Sequence, residues 1–381
     1  FKKYIFLFNT IYCLNKLLMI IIFSENNFKN SFLINKIKKK MSINPNLGIV
    51  NQKIAFMING IGNGHLTQAK TTYNILRHVC QIPLVLIFGH KNDSLKDSFP
   101  DSKVLIIPIT CREQDIEQLN LLPILNDLTG NISFSQQIID LTNRYNISLW
   151  INFFWVSFLE TKIPQIIIAE QFSIQNPMVA TLIMSLKLIS QVKIISLTFD
   201  SPFTKYKIPA LINLDKIRFP SASFEGNDIL CYNNSGTYFL NFILHLSQKY
   251  TEYNFYYFGH HIPSLSSNQK VSNLNFYLCD NHKFNNLFSR CRAILCTSGN
   301  QLIQEAVYYG IPVASCPCSL KHLEQVYNHR RYLDINWIEN LNNNLDLEQL
   351  INKKMTIFQG RLKMSLINQD KKVVGLLNKL I

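Results

Sequence analysis

From residue 53 onward, short apolar runs of strand length alternate with longer segments of helical period. Ile54–Ile58, Leu84–Phe88, Val104–Ile109, Leu149–Phe154, Gln165–Ala169 and Lys193–Thr198 read as buried strands. Helices are predicted at Leu66–Val79 and Met178–Ser190, with a mainly helical stretch over Asp115–Tyr145 broken near Pro123 and Gly130. A second series follows Pro220. Its strands are Asp228–Tyr232, Asn254–Phe258, Asn275–Leu278, Ala293–Cys296 and Pro312–Ser315, and its helices Gly236–Tyr250, Lys283–Arg290 and Gln301–Tyr309. The polar stretch Pro263–Ser272 reads as loop. Strands that are apolar throughout and alternate with helices imply parallel sheets covered on both faces. The fold class is therefore α/β, with two similar domains joined near Lys205–Pro220. Leu350, Ile351, Phe358, Leu362, Leu366 and Leu377 make the last stretch, Gln349–Ile381, amphipathic and helical. The expected boundaries are 1–48 for an extension, 49–212 and 213–345 for the two domains, and 346–381 for a C-terminal helical segment.

Composition agrees with this division, since 381 residues exceed what one core usually serves. Hydrophobic residues make up 47% and charged residues 16%, a globular balance that excludes a disordered or fibrous chain. The net charge of +14 matters only at the ends. Residues 1–40 hold eight lysines against Glu25, and residues 349–381 hold seven basic residues against Asp370. The body between them, with 23 basic and 22 acidic residues, is nearly neutral. A nucleic-acid enzyme carries its excess charge on a folded face or groove, so that class is set aside. Basic ends leave room for a peripheral membrane contact.

Ile5–Phe23 is apolar but interrupted by Asn9, Asn15 and Lys16. It reads either as a weak signal-anchor flanked by Lys2 and Lys3 or as a non-native extension, and the second reading is favoured. The nine cysteines are scattered, mostly within apolar runs, as buried reduced thiols are. Cys316-Pro-Cys318 lacks the C-x-x-C spacing of a zinc or redox pair. A reducing, cytoplasmic setting and no bound metal are the expectations.

Candidate chemistry sits in two places. The first strand runs into Gly60-Ile61-Gly62-Asn63-Gly64-His65, where alternate glycines permit close approach by a ligand. The spacing is not that of a dinucleotide fingerprint, and no Gly-Lys-Ser/Thr follows to make a P-loop. His65 opens a helix at the carboxyl end of a strand. A helix N-terminus disfavours imidazolium, so a neutral ring there could serve as a general base; a structural histidine is the plainer alternative. The second place holds Ser298-Gly299-Asn300, then Glu305-Ala306 on a helix, Gly310-Ile311-Pro312, and His322 with Glu324, Gln325 and Asn328. Gly299 at a strand-to-helix junction exposes backbone N–H groups that suit a phosphate, and a carboxylate further along that helix can accept two ribose hydroxyls. Asn233-Asn234-Ser235-Gly236 offers a second phosphate loop. Taken singly, Glu305 and Glu324 read as solvated helix charges; the ordered set reads as a nucleotide site.

These residues carry a resemblance. Gly62-Asn63-Gly64-His65, with Glu305-Ala306, Gly310-x-Pro312 and His322-x-Glu324-Gln325-x-x-Asn328, resembles nucleotide-sugar glycosyltransferases of the GT-B fold. The nearest group is that of the bacterial lipid-linked N-acetylglucosaminyltransferases and the UDP-glycosyltransferases, over roughly residues 53–340. The resemblance implies two Rossmann-like domains facing across a cleft, the first binding the acceptor and the second the donor. The C-terminal helix is then expected to pack back onto the first domain. It also implies inverting, metal-independent hexosyl transfer, with a nucleotide sugar, by analogy a UDP-sugar, as co-substrate and no cofactor. By position, Glu305 would hold the ribose, Gly299 and Asn300 would lie against the diphosphate, and Ser298 would belong to the same donor site. Glu324 and Gln325 would contact the sugar, with His322 and Asn328 beside them. His65 would be base or polar contact, and Gly60, Gly62, Asn63, Gly64 and Gln171 would line the acceptor side. The acceptor, whether glycan, lipid or small molecule, is not legible. Ser298-Gly299-Asn300 departs from the family's paired glycines, and His329 stands where the pattern has alanine. A nucleotide-sugar 2-epimerase and a non-catalytic nucleotide-sugar-binding protein remain the alternatives.

Overall fold

The apolar runs of the first half form β1 (Lys53–Asn59), β2 (Gln81–Phe88), β3 (Lys103–Ile107), β4 (Leu149–Phe153), β5 (Gln165–Ala169) and β6 (Val192–Ser196). Those of the second form β7 (Asp228–Tyr232), β8 (Asn254–Gly259), β9 (Leu274–Leu278), β10 (Ala293–Thr297) and β11 (Val313–Cys316), joined by β12 (Glu339–Asn340). This is a computed structural model, and it describes residues 49, 52–59, 63–88, 97–107, 132–153, 163–169, 192–197, 208, 211–212, 226–233, 238–259, 262, 271–278, 281–320, 323–353 and 369–380. The expectations for Ile5–Phe23, Met178–Ser190 and most of 115–131 and 205–220 lie outside the described residues.

Each sheet has six parallel strands, in the orders β3-β2-β1-β4-β5-β6 and β12-β11-β10-β7-β8-β9. Read from β9, the second order repeats the first. Both are doubly wound sheets whose strand order reverses once, between β1 and β4 and between β7 and β10. In open α/β sheets the crevice beyond the carboxyl ends of the strands at that reversal is where ligands bind. The two glycine-bearing motifs follow β1 and β10, one at each reversal.

The helices are α1 (Asn63–Leu76), α2 (Ile132–Arg144), α3 (Tyr238–Lys249), α4 (Asn281–Phe288), α5 (Asn300–Tyr309), α6 (Leu323–Asp334), α7 (Leu347–Ile351) and α8 (Gln369–Leu380). On the second sheet, α3 and α7 cover one face and α4, α5 and α6 the other. Leu295 of β10 packs with Cys231, Phe239 and Phe255, whereas its neighbours Ile294 and Cys296 pack on the other side with Ile303, Val307 and Tyr332. Alternation of side chains along a strand buries both sets, which is why β10 is apolar at every position but its last. Each fully buried aliphatic or aromatic side chain contributes about 1.5–3 kcal/mol. In the first sheet Trp150 plays the central part, packed among Ala55, Met57, Leu84 and Ile138, with its indole N–H donated to Thr142 Oγ1 at 3.1 Å.

The C-terminal helix α8 packs against α1, as the resemblance implied. Val373, Leu377 and Leu380 are buried, while Lys371, Lys372 and Lys379 lie on its exposed side. Two amides fix it. Gln369 exchanges a pair of hydrogen bonds with the Ile212 backbone, both 3.2 Å, and Asn378 Oδ1 accepts from the Ile49 N–H at 2.7 Å. Among the described residues, no helix is long and apolar enough to cross a membrane.

Candidate functional site

β10 ends at Thr297, and Ser298-Gly299 turn the chain into α5. Gly299 is the N-cap, at φ −72° and ψ 130°, angles that any residue adopts. A Cβ there would meet only the Thr297 carbonyl oxygen, at 4.0 Å. Neither strain nor crowding demands glycine; its effect is to leave the approach to the helix N-terminus open. The N–H groups of the first turn lack an intrahelical acceptor, and among the described residues no side chain caps them. With about half a positive charge from the helix dipole, this end is suited to an anion. The helix stops at Gly310, whose φ of 79° requires glycine, and Pro312 then prevents its continuation.

α5 is polar on a buried face. Glu305 is 1% exposed, and its Oε1 accepts from Gln301 Nε2 at 2.9 Å. The same Nε2 donates to the Leu211 carbonyl at 2.9 Å, and Gln68 Nε2 on α1 reaches Gln301 Oε1 at 3.5 Å. This contact brings the helix of Glu305 beside the helix of His65, each joined within its first two turns. His65 is the third residue of α1, half-buried, one turn ahead of Gln68. Asn300 turns inward: its Oδ1 accepts from Tyr332 Oη and from Gln304 Nε2, the latter at 3.2 Å. Its Nδ2 is buried with no hydrogen-bond partner among the described residues, as is Asn328 Oδ1.

Ser298 also turns inward. Its hydroxyl, fully buried, lies 3.0 Å from Ser315 Oγ and 3.3 Å from His329 Nδ1. Asn328 Nδ2 donates to the Ser298 carbonyl at 3.4 Å, and Gln325 Oε1 accepts from the Cys318 N–H at 2.9 Å. Burial, joined by the nearby Arg330 charge, holds the His329 imidazole below its usual range against the opposing hydrogen bond to Asn340. Ser298, Gly299, Asn300 and Asn328 thus meet at one turn, Glu305 lies further along α5, and Gln325 is bonded to Cys318 instead. Gly60, Gly62, Gln171, Asn234, Ser235, Gly236 and His322 lie outside the described residues, as do the side chains of Asn63 and Glu324. Gly64 is half-buried in the first turn of α1. Sequence reasoning named Gln301 only as the end of the Ser298-Gly299-Asn300-Gln301 run, without a role, and did not single out Gln304, Ser315 or Tyr332. The only available signal was two glutamines at three-residue spacing on a helix already chosen for its glutamate. Among the described residues no cluster of three His, Cys, Asp or Glu side chains could hold a metal.

The profile of Glycosyl transferase family 1 matches residues 52–361, more than half of the chain. The chain belongs to that family. Solved glycosyltransferases share the fold of this family 1 member at low identity. A glycotransferase of kitacinnamycin superposes with a TM-score of 0.61 at 10% identity, over 87% of this chain and 99% of its own. Phytolacca americana UGT2, complexed with UDP-2fluoro-glucose and pterostilbene, gives 0.52 at 11%, over 86% and 94%. The spinosyn rhamnosyltransferase SpnG, complexed with thymidine diphosphate, gives 0.52 at 11%, over 86% and 95%. No curated protein matches the sequence. The two doubly wound sheets are accordingly those of a GT-B glycosyltransferase, and the protein is an enzyme of that class.

Proposed function

We propose that this glycosyltransferase moves a hexose-type sugar from a UDP- or dTDP-sugar to an acceptor hydroxyl, inverting the anomeric carbon by single displacement without a metal. The observation that carries this reading is the uncapped N-terminus of α5 behind Gly299, with Glu305 buried on the same helix. Diphosphate charge on the leaving group is met there by first-turn N–H groups and the helix dipole, which need no reorganisation during the reaction. Ser298 contributes by shaping the turn, because its hydroxyl is committed to Ser315 and His329 and its N–H donates to the Cys316 carbonyl at 3.0 Å. Glu305 accepts from the ribose hydroxyls while Gln301 fixes its carboxylate. The family pattern assigns Glu324 and Gln325 of α6 to the sugar, and the buried Asn300 Nδ2 retains hydrogen-bonding capacity beside the turn.

His65 is the proposed base, taking the acceptor proton as the hydroxyl oxygen attacks the anomeric carbon and the bond to the diphosphate breaks. The Gln68–Gln301 contact supports this, since it sets the helix of His65 against that of Glu305. Relatives complexed with UDP-2fluoro-glucose or thymidine diphosphate support the donor class. The test is an NMR time course of UDP-glucose and dTDP-glucose with a panel of phenolic, polyketide and sugar acceptors. A new glycoside of inverted configuration together with free nucleoside diphosphate is expected. Donor epimerised without acceptor, or donor bound and never consumed, overturns the reading.

A further inference from the structure

We propose that His329 is a positioning residue for the donor, its imidazole holding the Ser298-Gly299 turn in the shape that presents the first N–H groups of α5 to a diphosphate. The proposal rests on the reading of that turn as the diphosphate site. His329 belongs to α6, stands 31 residues from Ser298 and is 8% exposed. Its Nδ1 lies 3.3 Å from Ser298 Oγ and 3.3 Å from Ser315 Oγ, while the two hydroxyls are 3.0 Å apart. Asn340 also hydrogen-bonds to the ring. The ring therefore ties together the ends of three neighbouring strands: β10 through Ser298, β11 through Ser315 and β12 through Asn340. Asn328, the preceding residue of α6, donates to the Ser298 carbonyl at 3.4 Å. One helix thus holds Ser298 by both its hydroxyl and its carbonyl.

The chemistry explains why a histidine serves here. Both serine side chains are fully buried, so their O–H protons must find an acceptor within the protein. A neutral imidazole Nδ1 accepts from one hydroxyl, which in turn accepts from the other, and all three groups are satisfied. Removing the ring leaves that chain without its terminal acceptor directly beneath the residue that precedes Gly299. A turn displaced by a few tenths of an ångström moves every N–H that follows it, and hydrogen bonds weaken with distance and misalignment.

The experiment compares dissociation constants of UDP and of uridine, by calorimetry and ligand-observed NMR, in the wild type and in His329→Ala, His329→Asn and His329→Gln. Asparagine places Oδ1 near the position of Nδ1, whereas glutamine reaches toward Nε2. His329→Ala should weaken UDP by about tenfold, the loss of one hydrogen bond to a charged group, and leave uridine within about twofold. His329→Asn should recover most of the UDP affinity and His329→Gln should not. Parallel weakening of uridine and UDP overturns the proposal, because it marks general damage rather than a displaced diphosphate turn. Undiminished UDP binding by His329→Ala also overturns it, while the diphosphate reading stands. A wild type that binds neither UDP nor dTDP overturns that reading and the proposal together. Should His329→Ala fail to fold, the Asn and Gln variants decide: equal UDP affinities contradict the assignment.

Discussion

Replacing Gly299 by serine separates stability from function at one atom. The backbone angles of Gly299 suit any residue, and its missing Cβ would find no neighbour closer than 4.0 Å. Restricting the unfolded chain at such a site stabilises by about 0.4–1 kcal/mol. Serine is the better N-cap by a few tenths of a kcal/mol, since its hydroxyl can accept from an uncapped first-turn N–H. The folded protein should gain about 0.5–1 kcal/mol. The same hydroxyl then occupies the N–H groups assigned to the diphosphate. Losing one hydrogen bond to a charged phosphate costs about 1.5–3 kcal/mol, or roughly ten- to hundredfold in affinity. Denaturant unfolding without ligand and calorimetric titration with UDP read the two quantities. A variant more stable than the wild type yet weaker for UDP is the expected outcome. A less stable variant would refute the open-space reasoning, and undiminished UDP affinity would refute the diphosphate assignment.

Other perturbations test separate parts. His65→Ala should lower turnover by about a hundredfold or more with donor KM little changed, as loss of a general base does; an unaltered kcat moves the base elsewhere. Burial and Arg330 depress His329 below its usual 6.5, so its stabilising contribution is complete above that pH and is lost as pH falls below it. The difference in unfolding free energy between wild type and His329→Asn should therefore shrink from pH 8 to pH 5, and a constant difference contradicts the assignment. Burial raises the thiols of Cys231, Cys291 and Cys296 far above the usual range and pushes Cys316 up to about 12. These four should resist iodoacetamide at pH 8 in the native protein and react in guanidinium; rapid native alkylation would mean that the second sheet opens readily.

The elements were legible where burial is two-sided. Ala293–Cys296 was expected and Ala293–Thr297 is observed, because a parallel strand covered on both faces must be apolar throughout. The same reasoning placed Gln165–Ala169 and Asp228–Tyr232 at their observed bounds. β12 escaped it. Glu339 and Asn340 are polar, pair only with Ala314 and Ser315 at the sheet edge, and carry no hydrophobic signature. In the site, the motif identified residue types but not their directions. Nothing in the spacing of Ser298 distinguishes a hydroxyl aimed at a ligand from one aimed at Ser315. His329 was visible as a departure from the family pattern, yet its pairing with Ser298 and Ser315 spans 31 and 14 residues and exists only through the packing of α6 on β11.

The central claim, that a nucleotide sugar is held along α5 by the open turn at Gly299 and by Glu305, is tested most directly by a thermal-shift panel. Nucleoside diphosphates and their sugars are screened against wild type and Glu305→Ala in parallel. A ligand present at a hundred times its Kd stabilises by about 2.7 kcal/mol, enough for a clear rise in midpoint. At least one uridine or thymidine diphosphate compound should raise the wild-type midpoint, and the rise should be lost or sharply reduced in Glu305→Ala. No shift with any member of the panel, or equal shifts in the two proteins, would contradict the account.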